Sequence, residues 1–150
     1  MSEESQFPVV NVAVTLIVHD EKILVVWNPK WGAFSLPMTK RREWHDPRVP
    51  ASHHGEDWLD AGARAAAEYL GQTCEPELVL DNIDEYQQSD RDGAWKRYHF
   101  QIFRISLADQ PELVAGAIAE WLTPEEVLNR RPISVTARYL VGKLQEAKKL

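Results

Sequence analysis

The 150-residue chain carries 17 Lys and Arg against 23 Asp and Glu, a formal net charge of −6, and 44% of its residues are hydrophobic. That length suits one domain spanning residues 1–150, and the composition belongs to a folded chain rather than a disordered one. The acidic balance argues against binding to a nucleic-acid duplex, the single cysteine (Cys74) excludes an internal disulfide framework, and no stretch approaches the roughly 18 apolar residues of a membrane span.

The polar, acidic start from Met1 to Gln6 has neither the basic residues nor the apolar run of a signal peptide, so a cytoplasmic protein is expected. Residues 1–8 are expected to form a flexible end, closed by Pro8. Val9 to Val18 is rich in β-branched residues and predicts a strand, His19-Asp20-Glu21 a polar turn, and Lys22 to Trp27 a second strand completing a hairpin. Asn28-Pro29-Lys30 predicts a turn and Trp31 to Leu36 an extended segment ending at Pro37. Residues 38–55 show no clear periodicity and are expected to be a loop.

Asp57 to Leu70 is the clearest helix. Leu59, Ala63, Ala66, Ala67 and Leu70 predict one apolar stripe, Glu56 and Asp57 suit the helix N-terminus, and Gly71 is a natural stop. Leu78 to Gln87 and Ala94 to Leu107 predict two strands joined by the turn-forming Ser89-Asp90-Arg91-Asp92-Gly93. Residues 108–117 predict a loop and Ile118 to Leu122 a short strand. Thr123-Pro124-Glu125-Glu126 has the pattern of a capping box with Pro in the first turn. Val135, Tyr139, Leu140, Leu144 and Ala147 give the last segment a helical face, which Pro132 keeps from starting earlier. This order of elements predicts a mixed α/β sandwich, with too few strand–helix alternations for a doubly wound sheet.

The informative stretch runs from Trp31 to Gly71. Leu36-Pro37-Met38-Thr39-Lys40 is followed, after a loop, by Glu56, by Arg64 after seven further residues, and then by Ala66, Glu68 and Gly71. This resembles the Nudix hydrolase superfamily, whose box reads G-x5-E-x7-R-E-U-x-E-E-x-G-U, usually preceded by L-P-G-G-K. The spacing from Glu56 to Gly71 needs no gap, and the flanking strands, together with Ala119 to Val127, resemble the family's order of elements. The resemblance implies a Nudix-like α/β/α sandwich with a mixed β-sheet. It also implies hydrolysis of a nucleoside diphosphate linked to another group, or of another phosphorylated small molecule, with Mg²⁺ or Mn²⁺. Outer-strand pairing into a homodimer is common in similar proteins.

Residue by residue, the resemblance makes Glu68 a metal ligand and gives Arg64 and Glu56 supporting roles in the site. The departures are specific. The other two box carboxylates are Ala65 and Tyr69, the Gly-Gly pair is Met38-Thr39, and Thr39 precedes Glu56 by 17 residues, which marks residues 40–55 as an inserted loop. Alanine has no donor atom and a tyrosine hydroxyl is a poor substitute for a carboxylate, although Mg²⁺ is often held by one or two carboxylates plus substrate phosphates. A non-catalytic nucleotide- or protein-binding module is therefore the rival reading. Restoring Glu at both 65 and 69 is expected to raise divalent-metal affinity.

Plainer roles compete for the same residues. Arg64 and Glu68 are spaced i, i+4 and suit an exposed helix pair, Glu56 suits a helix N-terminus, and Tyr69 suits half-buried packing. Lys40, Arg41 and Arg42 form a dense basic cluster for phosphate contacts, and Trp27, Trp31 and Trp44 offer aromatic faces to a base. Arg97, with Lys96 and Tyr98, is a further candidate for binding substrate, while Asp84, Glu85 and Glu112 could supply a carboxylate. His45, Asp46, His53 and His54 in the inserted loop are conventional metal ligands, though their spacing fits no compact zinc motif. His19, His99 and Cys74 read as structural.

Overall fold

In the computed structural model, which describes residues 9–44, 48–49, 54–88 and 93–150, the β-branched run becomes Val9–His19 (β1), buried continuously from Val12 to Ile17. A strand without a polar face needs cover on both sides, and the rest of the chain supplies it. Lys22–Asn28 (β2) returns antiparallel through a turn in which Asp20 and Glu21 both take positive φ, 52° and 63°. That is the geometry whose twist matches a two-residue hairpin. Trp95–Ser106 (β8) lies parallel to β1 on its other side, and Glu77–Gln88 (β7) closes that edge antiparallel to β8. Ala33–Ser35 (β3) and Ala119–Leu122 (β9) both pair with β2, giving a mixed seven-stranded sheet once Met38–Lys40 (β4) has paired with β1.

The segment expected to be an aperiodic loop is therefore partly strand. Besides β4, Glu43–Trp44 (β5) and His54–Gly55 (β6) form a short ribbon. Strands of two or three residues are too short to display a period. The expected flexible N-terminus, residues 1–8, lies outside the described residues, as do residues 45–47, 50–53 and 89–92.

Trp58–Leu70 (α1) covers one face of the sheet. Asp57 caps it by accepting from the Leu59 N–H at 2.9 Å, and Gly71 ends it at φ 71°. Pro124–Asn129 (α2) starts on the capping box expected of Thr123 and Glu126, and Val135–Glu146 (α3) starts on Ser134. These two helices cover the opposite face, where Ala137, Leu140, Val141 and Leu144 pack on Val14, Leu16, Ile23, Val25, Phe100 and Ile102. On the α1 face, Ala66 and Leu70 meet Ile17, Leu24, Val26 and Ile105, and Ala61 meets Ala13 and Phe103. The result is the α/β/α sandwich with a mixed sheet.

The buried stripe of α1 includes the expected Ala63, Ala66 and Leu70 but departs from expectation elsewhere. Leu59 is 43% exposed, whereas Ala61, Gly62, Ala65 and Ala66 are buried. The helix sits close to the sheet through its smallest residues, and the sheet's Phe103 fills the space a larger side chain would need. A Cβ on Gly62 would lie 2.7 Å from the Phe103 ring, and the same close approach lets the buried Thr15 hydroxyl donate to the Gly62 carbonyl at 2.7 Å. Gly62→Ala is expected to destabilise the fold by up to about 2 kcal/mol despite alanine's better helix propensity, because overpacking costs about 1–3 kcal/mol and the propensity gain is only about 1. Chemical denaturation would measure it, and a stabilised variant would show that Phe103 can yield.

Candidate functional site

The C-terminal half of α1, the end of β2 with its turn, and the β3–β4 connection enclose a cleft of about 240 Å³. Glu68 and Tyr69 line it from α1, Trp27, Asn28 and Lys30 from β2 and the turn after it, and Met38 from β4. Trp27 is held by edge-to-face packing on Phe34, with ring centroids 5.3 Å apart. Lys30 is positioned by its own turn, since the Asn28 side-chain oxygen accepts from the Lys30 backbone N–H at 3.0 Å. Tyr69 is half-buried and packs toward the Ile17, Leu24 and Val26 cluster. Burial, reinforced by the Glu68 charge, raises the Tyr69 hydroxyl above its usual 10, so it stays a protonated donor.

Behind the cleft, one guanidinium joins three segments. Arg64 donates to both carboxyl oxygens of Glu56, at 3.2 and 2.9 Å, to the Thr39 hydroxyl at 2.9 Å and to the Lys40 carbonyl at 2.8 Å. Glu56 also accepts from the Arg42 backbone N–H at 3.1 Å. The Arg64 hydrogen bond is the main reason that the Glu56 carboxyl lies below its ordinary value of 4.5, and the same bond raises Arg64. Arg64 thus pairs with Glu56 across the loop rather than with Glu68 along the helix.

Of the residues singled out in the sequence, Glu68 lines the cleft, whereas Arg64 and Glu56 form the brace behind it. Lys40, Arg41, Arg42, Trp31 and Arg97 do not line it. Arg41 is engaged elsewhere: its Nε donates to the Glu56 carbonyl at 2.6 Å and its guanidinium lies 5.2 Å from the centre of the Trp58 ring. Trp58 begins α1 and Glu68 comes ten residues later, about 15 Å along the helix axis. Lys40 and Trp31 are exposed, and Arg97 pairs on β8 with Val9 and Tyr86. Asp84 accepts from the His99 Nδ1 at 3.0 Å, and Glu85 accepts from the Gln87 side chain, so both are occupied away from the cleft. His19 meets the Leu107 carbonyl at 3.1 Å, and Cys74 packs partly buried.

The donor set does not fit the several-ion cluster that the box would build. Ala65 is completely buried, Tyr69 stands at the third position, and Glu68 alone offers a carboxyl group. Among the described residues no three His, Cys, Asp or Glu side chains are grouped to hold a metal. His45, Asp46 and His53 lie outside the described residues, while His54 is exposed and stacks on Trp44 at 6.0 Å. Sequence reasoning passed over Lys30, Asn28 and Met38. Lys30 carried only a turn signal, and nothing local announces that this turn comes to face α1.

No family model matches the sequence, and no curated protein matches it either. Solved structures do. The chain superposes on a MutT protein from Methanosarcina mazei with a TM-score of 0.67 at 16% identity, over 97% of this chain and 99% of that one. A MutT Nudix hydrolase from Burkholderia pseudomallei follows at 0.61 and 17%, over 89% and 96% of the two chains. The Nudix domain of Shewanella oneidensis NrtR, solved with ADP-ribose, superposes at 0.56 and 17%, over 98% and 93%. These superpositions, together with the strand order of the sheet, give the chain the Nudix fold.

Proposed function

We propose that this protein is a Nudix-fold binding module, and that its cleft takes the diphosphate of a nucleoside diphosphate linked to another group. The observation that carries this reading is the burial of Ala65, 0% exposed, which leaves Glu68 as the one carboxyl of the three box positions in the cleft. Cleavage through a several-ion cluster has no ligand set here, while the cleft and its brace are well formed. Its volume, below the roughly 300 Å³ at which whole-ligand pockets begin, suits a diphosphate with the nucleoside lying toward the open side near Trp27. The ADP-ribose bound by the NrtR Nudix domain is a ligand of this class. The reading places the protein in the cytoplasm, and no helix among the described residues is long and apolar enough to cross a membrane.

Metal-dependent hydrolysis of the same ligand class, with Mg²⁺ or Mn²⁺, is the second reading. One observation favours it: the Arg64–Glu56 brace, which orients the loop and helix in the box, is intact. The test sets ADP-ribose, nucleotide sugars, dinucleoside polyphosphates, NADH and nucleoside triphosphates against the protein with Mg²⁺, Mn²⁺ or EDTA, following both melting temperature and product release. The expected result is a rise of roughly 5–10 °C at a hundredfold excess over Kd, without product. Metal-dependent turnover that disappears in Glu68→Gln would replace the first reading with the second.

A further inference from the structure

We infer that the cleft holds its phosphate group directly, through the Lys30 ammonium and the Tyr69 hydroxyl, in a site that works without a divalent ion. This rests on the binding-module reading and specifies its chemistry.

Two donors and one carboxyl group line the same small space. Lys30 lines the cleft, is exposed, and makes no salt bridge among the described residues. Its backbone is held by the Asn28 side-chain oxygen at 3.0 Å, which leaves the Asn28 amide nitrogen as a further donor on the same wall. Tyr69 lines the same cleft, and its hydroxyl makes no hydrogen bond among the described residues. It is an O–H donor at any ordinary pH, because burial and the nearby Glu68 charge oppose its ionisation. Trp27 also lines the cleft and supplies an aromatic side chain there.

The charge balance separates this site from a metal cluster. A cluster needs several carboxylates so that the ions are bound before the phosphate arrives. This cleft carries one acid, Glu68, and one base, Lys30, so it has no net negative charge with which to gather a divalent ion. An ammonium group is itself a common phosphate ligand, acting as a point charge. With Tyr69 in place of a carboxylate, a repelling group becomes a donor, and Glu68 is left as the single group that disfavours an anion. The two substitutions that remove a metal cluster, at positions 65 and 69, therefore leave a coherent anion site.

The probe is inorganic pyrophosphate, with ADP alongside, titrated by calorimetry into the wild type and into Lys30→Ala, Tyr69→Phe and Glu68→Gln, each with EDTA and with Mg²⁺. Lys30 is exposed and Phe keeps the Tyr69 ring, so these variants are expected to melt like the wild type. Pyrophosphate should bind in EDTA within about threefold of its affinity in Mg²⁺. Loss of one charge-assisted contact in Lys30→Ala should weaken it about tenfold or more, and Tyr69→Phe about threefold to tenfold. Glu68→Gln should tighten binding in EDTA, the opposite of what a metal ligand would do. Binding that requires Mg²⁺ and vanishes in Glu68→Gln overturns this inference and leaves nucleotide binding standing. So does binding in EDTA that Lys30→Ala leaves unchanged. If neither pyrophosphate nor ADP binds under either condition, the binding-module reading falls as well.

Discussion

Replacing Ala65 with Glu is expected to lower the melting temperature by roughly 10 °C and to leave divalent-ion affinity unimproved. The substitution restores a carboxylate to a box position, so pattern alone would have it rebuild the metal site. In the fold, however, Ala65 is 0% exposed on the packed face of α1. A carboxylate forced there without a partner costs about 3–5 kcal/mol, and a chain of this length loses about 2–4 °C for each kcal/mol. Tyr69→Glu should behave differently, because Tyr69 lines the cleft beside Glu68. Two carboxylates sharing that wall should raise Mn²⁺ affinity with a modest stability cost. The paired restoration expected to raise metal affinity thus divides into one position that can help and one that cannot. Calorimetric melting and Mn²⁺ titration of each single variant would check this. A stable Ala65→Glu protein that binds metal would mean that residue 65 can turn toward the cleft.

The second large effect is expected at Arg64. Arg64→Ala should destabilise the fold by about 2–3 kcal/mol, because it removes four hydrogen bonds and leaves a mostly covered Glu56 carboxylate with the Arg42 N–H alone. Arg64→Lys should recover little, since an ammonium cannot reproduce the planar fork that reaches Glu56, Thr39 and the Lys40 carbonyl together. The same pair sets a pH dependence. Glu56 has a lower pKa folded than unfolded, so between those two values the unfolded chain binds more protons. The pair's contribution is complete above the ordinary value of 4.5 and is lost as pH falls through the lowered folded value. Urea denaturation of wild type and Glu56→Gln between neutral and strongly acidic pH should therefore converge toward the acid end. Curves that stay parallel would show that Glu56 does not contribute this way.

The hairpin, the long helix, the β7–β8 pair and the two C-terminal helices were legible because their signals are local. The β-branched run of β1, Gly71 after α1, and Thr123 with Glu126 around Pro124 each act within a few residues, and each appears where its chemistry requires. The strands at 38–40, 43–44 and 54–55 were not legible. Strand β4 exists because Met38, Thr39 and Lys40 find Val14, Ala13 and Val12, some 25 residues earlier, and three residues carry no period of their own. Leu59 was misplaced on the buried face of α1 for a related reason. Hydropathy ranks Leu59 above Gly62, but the bulk of Phe103 on the sheet makes smallness the requirement at the interface.

The candidate site divides along the same line. By itself the sequence determined the class of fold, through the order of its elements, and the residue identities at 65, 68 and 69, where the box it resembles has carboxylates. It also marked Glu56, Arg64 and Glu68, because the box it resembles has those residue types at that spacing. Only the tertiary structure decided which charges meet. Arg41 stood out in a basic cluster and is spent on Trp58 and the Glu56 carbonyl, while Lys30 stood alone in a turn and lines the same cleft as Glu68. Charge density along a chain is a local property. The side chains that share a cleft are set by which strand ends and helix turns the packed sheet brings together.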